Sequence, residues 1–105
     1  MKRGDVWWAN LDRPAGRRPV LLLSRDPVYG VRTRVTVAPI TTRIRGIRTE
    51  VRLGLEDGLP RACAVNLDDI DTIPKAQVRE FVVTLDVHKI QAVDAAIHFA
   101  LGLRT

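Results

Sequence analysis

The run Arg18-Pro19-Val20-Leu21-Leu22-Leu23-Ser24 constrains this chain more than any other stretch. Four consecutive aliphatic residues, from Val20 to Leu23, are too few to announce a helix. Bounded by Gly16 and Pro19 on one side and by Ser24-Arg25-Asp26-Pro27 on the other, they read as a strand covered on both faces. Such a strand belongs in the middle of a sheet, because an edge strand would alternate. Arg18 stands at its mouth, with its backbone held extended by Pro19. A guanidinium fixed at the end of a buried strand is suited to holding a phosphate.

Charge sharpens this expectation when the chain is divided. Residues 1–52 carry twelve Lys or Arg against four acids, and eleven of the twelve are arginine. Residues 53–105 carry five against eight, so the net +5 comes entirely from the first half. Arginine's rigid donor fork matches phosphate better than lysine's point charge. A concentration of arginine therefore points to nucleic acid or another polyanion, set against an ordinary surface decorated with arginine. With 105 residues the chain is read as one domain, 1–105, able to build a modest core without metal or disulfide staples. No apolar run approaches the roughly 20 residues of a membrane span, and Val6-Trp7-Trp8 is too short for the apolar region of a signal peptide. Cys63 is the only cysteine, which predicts a reducing cytoplasm. Inside Ala62-Cys63-Ala64-Val65 it reads as core filler rather than as a nucleophile.

In chain order, Asp5–Leu11 is rich in β-formers and reads as a first strand. Asp12–Arg17 supplies turn residues, and the apolar run follows. Arg25–Gly30 is read as a connector. Thr33–Ala38 alternates, with Val35 and Val37 inward, and Pro39-Ile40-Thr41-Thr42 ends that strand. Arg43-Ile44-Arg45-Gly46 is a second basic loop, and Thr49–Leu53 alternates again. Gly54–Arg61 reads as loop and Ala62–Leu67 as a short buried strand. Beyond it come a turn with a brief strand at 68–73, a helical turn opened by Pro74, and a strand over Phe81–Thr84. Asp86 and Gly102 bracket the one long helix as N-cap and C-terminal glycine. Val87, Ile90, Val93, Ile97 and Leu101 form its apolar stripe; Phe99 lies off it, free to touch a second subunit. Many short strands closed by one helix give an α+β chain, a small, strongly bent antiparallel sheet or barrel with a C-terminal helix.

Three common chemistries are disfavoured by the residues present. His88 and His98 with one cysteine offer no ligand pair at metal-binding spacing. Ten residues apart on a helix, they lie roughly 15 Å apart along its axis and cannot work as an acid/base pair within one subunit. No glycine-rich loop leads into Lys-Ser or Lys-Thr, so a nucleoside triphosphate site is not expected. What remains is Arg18 at one strand mouth, Thr41 at the end of the next long strand, and the acidic turn at Asp68. When a ribose 2′-hydroxyl attacks its neighbouring phosphate, charge grows on the non-bridging oxygens, and a guanidinium already aimed there stabilises it. Thr41 is suited to donate a hydrogen bond to the same phosphate or to orient the attacking hydroxyl. Taken singly, each residue is equally a surface cation, a strand cap and a turn former.

The ordered set is more specific. Arg3-Gly4-Asp5-Val6-Trp7-Trp8-Ala9-Asn10-Leu11-Asp12, Gly16, the run from Arg18 to Ser24, Val37-Ala38-Pro39-Ile40-Thr41-Thr42, Val65-Asn66-Leu67-Asp68 with Thr72-Ile73, and Ala100-Leu101-Gly102-Leu103 together resemble the MazF/PemK family of bacterial toxins. The resemblance implies an SH3-like barrel with a C-terminal helix, a homodimer, and an endoribonuclease that cuts single-stranded RNA without a metal or other cofactor. It puts catalytic roles on Arg18 and Thr41, with Asp68 as third candidate. It implies 2′,3′-cyclic phosphate and 5′-hydroxyl products and an acidic, partly disordered MazE-like antitoxin lying across the basic groove. Arg13, Arg17, Arg43 and Arg45, with Thr42 beside them, are the expected RNA contacts; Trp8 either stacks on a base or packs with Trp7. Two departures stand out: the loop 13–17 is short, and Asn66 occupies a position where some members carry arginine. A gyrase-inhibiting toxin resembling CcdB, which cuts nothing, and a non-catalytic nucleic-acid-binding barrel remain the alternatives.

Overall fold

The computed structural model describes residues 1–104. Seven strands form an antiparallel sheet: β1 (Asp5–Asn10), β2 (Arg17–Leu22), β3 (Arg34–Thr41), β4 (Glu50–Leu53), β5 (Cys63–Asn66), β6 (Asp71–Pro74) and β7 (Val78–Thr84). Their order is β4-β5-β3-β2-β1-β7, and β6 joins the first half of β3 on the edge whose second half pairs with β5. No ladder joins β4 to β7 among the described residues, so the sheet bends without closing into the expected barrel.

The apolar run behaves as its composition requires. Val20, Leu21 and Leu22 are fully buried, and they alternate between two cores. Leu21 joins Val6, Ala38, Ile40 and Val65 on one face, while Val20 and Leu22 join Ala9, Val35, Val37 and Ile73 on the other. Burying side chains of this size contributes about 1.5–3 kcal/mol each. Val35 and Val37 point inward as the alternation predicts, at 0% and 2% exposure. Arg18 is not at the mouth of the strand, as expected, but its second residue, paired with Ala9 of β1.

The terminal helix α2 (Val87–Leu101) begins at Asp86, whose side chain accepts the Lys89 N–H at 3.0 Å, and ends at Gly102 in the left-handed region. Its buried stripe is shorter than predicted. Val93 and Ala96 are buried, with Ile90, Ile97 and Ala100 packed against the same core, whereas Val87 and Leu101 overhang it at 62% and 58% exposure. Gly4 lets the helix approach the sheet: a Cβ there would sit 2.7 Å from Ile90 Cδ1.

Three further expectations are corrected. The connector after β2 contains a one-turn helix, α1 (Val28–Val31), and the loop after β4 contains a 3₁₀ turn at Leu55–Asp57. The last strand begins at Val78 rather than Phe81, pairing with β1 through two register shifts. Bulged and bordered on one side only, it exposes Arg79, Glu80 and Phe81 in succession and so hides its alternation.

Candidate active site

Antiparallel register brings the two leading candidates together. β2 and β3 pair Val20 with Pro39, Leu21 with Ala38 and Leu22 with Val37. Continued by two residues, that register sets Arg18 across from Thr41. Directly opposed residues share a face of the sheet, and their outer neighbours in the same row are small, Ala9 beside Arg18 and Ala64 beside Thr41. Both side chains border two adjoining cavities and form the ridge between them.

The first cavity, about 400 Å³, has an apolar floor that includes Ile40, Leu59 and Cys63, with Trp8 and Pro19 in its wall. Arg17, Arg61 and Thr42 also border it. The Arg17 guanidinium lies 4.8 Å from the centre of the Trp8 ring and 3.7 Å from Glu80, an exposed pair worth little by itself. Cys63 is buried as expected; burial, helped by the carboxylates of Asp57 and Glu56, pushes its thiol above the usual range. A thiol so held is a poor nucleophile.

The second cavity, about 570 Å³, is polar and of mixed charge. Arg18, Arg43 and Arg45 line it together with Asp68 and Asp69. Thr41 Oγ1 accepts the Arg43 N–H at 3.0 Å, which leaves its own proton for a ligand. Asp68 is fixed at two points: Thr49 Oγ1 donates to its Oδ2 at 2.6 Å, and its N–H donates to Asn66 Oδ1 at 3.0 Å. Arg45 Nε donates to Glu50 Oε2 at 3.3 Å.

The electrostatics of Arg18 carry most weight. Its Nε–H is buried and has no hydrogen-bond acceptor among the described residues. A donor taken out of water without a partner is costly, and the side chain that carries it borders both cavities.

Seven of the eight sequence-predicted residues thus border one or both cavities: Arg18 and Thr41 share both, Arg17 and Thr42 the first, and Asp68, Arg43 and Arg45 the second. Arg13 borders neither and is exposed on the short loop after β1. Among the described residues no group of three or more His, Cys, Asp or Glu is arranged to hold a metal ion. Sequence reasoning missed Arg61, which approaches the first cavity from the loop before β5, and Thr49 and Glu50, read as plain strand residues. Glu50 carried a faint signal as one of four acids in the basic half. Trp7 and Trp8 divide their roles: Trp7 packs edge-on against Phe81 with centroids 5.8 Å apart, and Trp8 is left to the cavity.

Known proteins share this fold. A probable endoribonuclease MazF5 of Mycobacterium tuberculosis is 39% identical over 100 residues, covering 94% of this chain and 91% of that protein. Among solved structures, the Mycobacterium tuberculosis toxin MazF-mt6 superposes with a TM-score of 0.89 at 36% identity, over 96% of this chain and 99% of that one. A mycobacterial endoribonuclease in complex with its cognate antitoxin gives 0.88 at 28% identity, over 100% and 98%. The family of PemK-like, MazF-like toxins of type II toxin-antitoxin systems matches residues 2–101, and with nearly its whole length covered this chain belongs to that family.

Proposed function

We propose that this protein is a toxin that cuts single-stranded RNA by an internal, metal-independent transesterification. The observation that carries the reading is the buried, unpartnered Arg18 Nε–H on the ridge that Arg18 and Thr41 share. The scissile phosphate lies on that ridge. The ribose 2′-oxygen attacks phosphorus and the bond to the 5′-oxygen breaks, leaving a 2′,3′-cyclic phosphate and a 5′-hydroxyl. Arg18 holds the non-bridging oxygens as their charge rises, and Thr41 donates its hydroxyl proton to the same phosphate. Asp68 accepts the proton of the 2′-hydroxyl, and solvent protonates the departing oxygen. Arg17, Arg43 and Arg45, with Thr42, hold the flanking strand, and a base stacks on the exposed part of Trp8. Arg13 reaches the RNA from the short loop.

The same basic cavities suit an acidic, partly disordered antitoxin, which would block the ridge by occupying it. Val87, Phe99 and Leu101, 62%, 48% and 58% exposed on α2, are the surface on which two copies pair as a homodimer. No helix among the described residues is long and apolar enough to cross a membrane; the proposed RNA substrate and the free Cys63 support a reading in which the protein works in the cytoplasm.

Incubating the full chain with a long RNA in EDTA tests the reading. Fragments ending in cyclic phosphate are expected. Binding without cutting would leave a nucleic-acid-binding module, and neither binding nor cutting would favour a gyrase-directed toxin.

A further inference from the structure

Two parts of the polar cavity's lining, Asp68 and the loop that carries Arg43 and Arg45, are held by two adjacent residues that do not themselves border it. Thr49, 7% exposed, ends the arginine loop, and Glu50 opens β4. Successive side chains at the start of a strand point to opposite sides, so the two reach different parts of that lining. Thr49 Oγ1 donates to Asp68 Oδ2 at 2.6 Å, and its carbonyl accepts the Leu67 N–H at 2.9 Å. Glu50 Oε1 accepts the N–H groups of Arg45 and Gly46 at 2.9 and 3.0 Å, and Oε2 accepts Arg45 Nε at 3.3 Å. The Glu50 N–H closes the loop on the Ile47 carbonyl at 3.0 Å.

We propose that Thr49 and Glu50 are positioning residues with separate effects: Thr49 acts on the chemical step through Asp68, and Glu50 acts on RNA affinity through the Arg43–Arg45 loop. The inference rests on the roles given above to Asp68 and the arginines. Without the Thr49 hydroxyl, Asp68 keeps its charge but loses the bond that fixes one carboxylate oxygen. Its proton-accepting geometry is then met less often, while the phosphate contacts are untouched. Without the Glu50 carboxylate, the loop loses its shared acceptor. Arg45 must then be ordered when RNA binds, which weakens binding and leaves the reacting groups in place.

Steady-state kinetics on a short single-stranded RNA, with affinity measured on its uncleavable 2′-deoxy analogue, separate these effects. Thr49→Val should lower kcat about ten-fold or more, the worth of one hydrogen bond to a charged group, with unchanged affinity for the analogue. Thr49→Ser, which keeps the hydroxyl, should restore it. Glu50→Ala should weaken analogue binding about ten-fold with kcat near wild type. Glu50→Gln should recover most of that loss, because its amide oxygen still accepts both backbone N–H groups. In an Asp68→Asn background Thr49→Val should add nothing, whereas a merely structural Thr49 would add its full cost. The inference is overturned if Thr49→Val cuts at the wild-type rate while Asp68→Asn does not. It is overturned equally if both variants depress kcat and affinity alike. A fully active Asp68→Asn would instead remove Asp68 from the reaction, and the role of Thr49 with it.

Discussion

Arg18 and Thr41 are carried by the two central strands of the sheet, whereas Arg43 and Arg45 hang from a loop that closes on one carboxylate. The first pair is held by the sheet's outer ladders, Arg18 paired with Ala9 of β1 and Thr41 with Ala64 of β5, just beyond the point where β2 and β3 pair with each other. The loop has two internal supports of its own, the Ile44 N–H on the Thr42 carbonyl and the Arg43 N–H on Thr41 Oγ1, beside what Glu50 supplies. Groups that stabilise a transition state need fixed positions. Groups that bind a flexible polyanion tolerate adjustment and are the ones free to vary with its sequence. On the proposed reading, Arg18 and Thr41 therefore act from the strands, while Arg43 and Arg45 grip the substrate from the loop.

The sharpest way to break this division is Arg18→Ala. Removing a preorganised donor to a developing oxyanion costs about 10²–10³ in kcat, and binding of uncut RNA, shared among the other arginines, should change little. Cleavage at the wild-type rate would remove Arg18 from the mechanism. Thr41→Val should follow with a kcat loss of about ten-fold, the value of one hydrogen bond to a charged group. Its fold should be unaffected because valine suits a strand. An unchanged kcat would reduce Thr41 to the acceptor for the Arg43 N–H.

The loop predicts a different signature. Arg43→Ala and Arg45→Ala should leave kcat near wild type and weaken RNA binding a few-fold each. The slope of log K against log salt should become shallower by about 0.7 for each single-strand phosphate that the variant no longer neutralises. A variant that lowered kcat with no change in salt slope would move that arginine from the grip to the chemistry, and the contrast between strand and loop would fail.

How much of this was legible in the sequence follows the same contrast. Val20, Leu21 and Leu22 of β2 are buried on both faces, so they form a continuous apolar run that needs no knowledge of its neighbours. The ends of α2 were readable from Asp86 and Gly102 because capping is local chemistry. Val87 and Leu101 misled because periodicity states which residues share a helix face and not how far the sheet beneath extends. The meeting of Arg18 and Thr41 depends on β2–β3 register, which the sequence implied only through resemblance to a family. Thr49 and Glu50 left almost no trace: both fit a strand, and their partners, Asp68 and the loop backbone, are specified by tertiary structure alone. The fate of the arginines shows the same limit. Arg3 is spent on Asp94 at 2.8 Å and Arg48 lies 4.0 Å from the Phe99 ring centre, so basic composition overstated the size of the RNA-facing surface.

The smallest predicted effect tests the loop without RNA. Burial alone would raise the Glu50 carboxyl, but the Arg45 and Gly46 N–H groups and the Arg45 guanidinium outweigh it and hold the group below its ordinary value of 4.5. A carboxyl depressed by folding binds its proton more readily in the unfolded chain. Its contribution is therefore complete above pH 4.5 and fades as pH falls toward and through the lower folded value. Denaturant midpoints of wild type and Glu50→Gln should thus differ at neutral pH and converge on acidification. Protection of the Arg45 and Gly46 amides, corrected for the intrinsic slowing of exchange with acid, should fall over the same range, while β2 stays protected. A gap independent of pH would mean that the loop is held by packing, leaving loop and strands alike in rigidity and the division of labour without its physical basis.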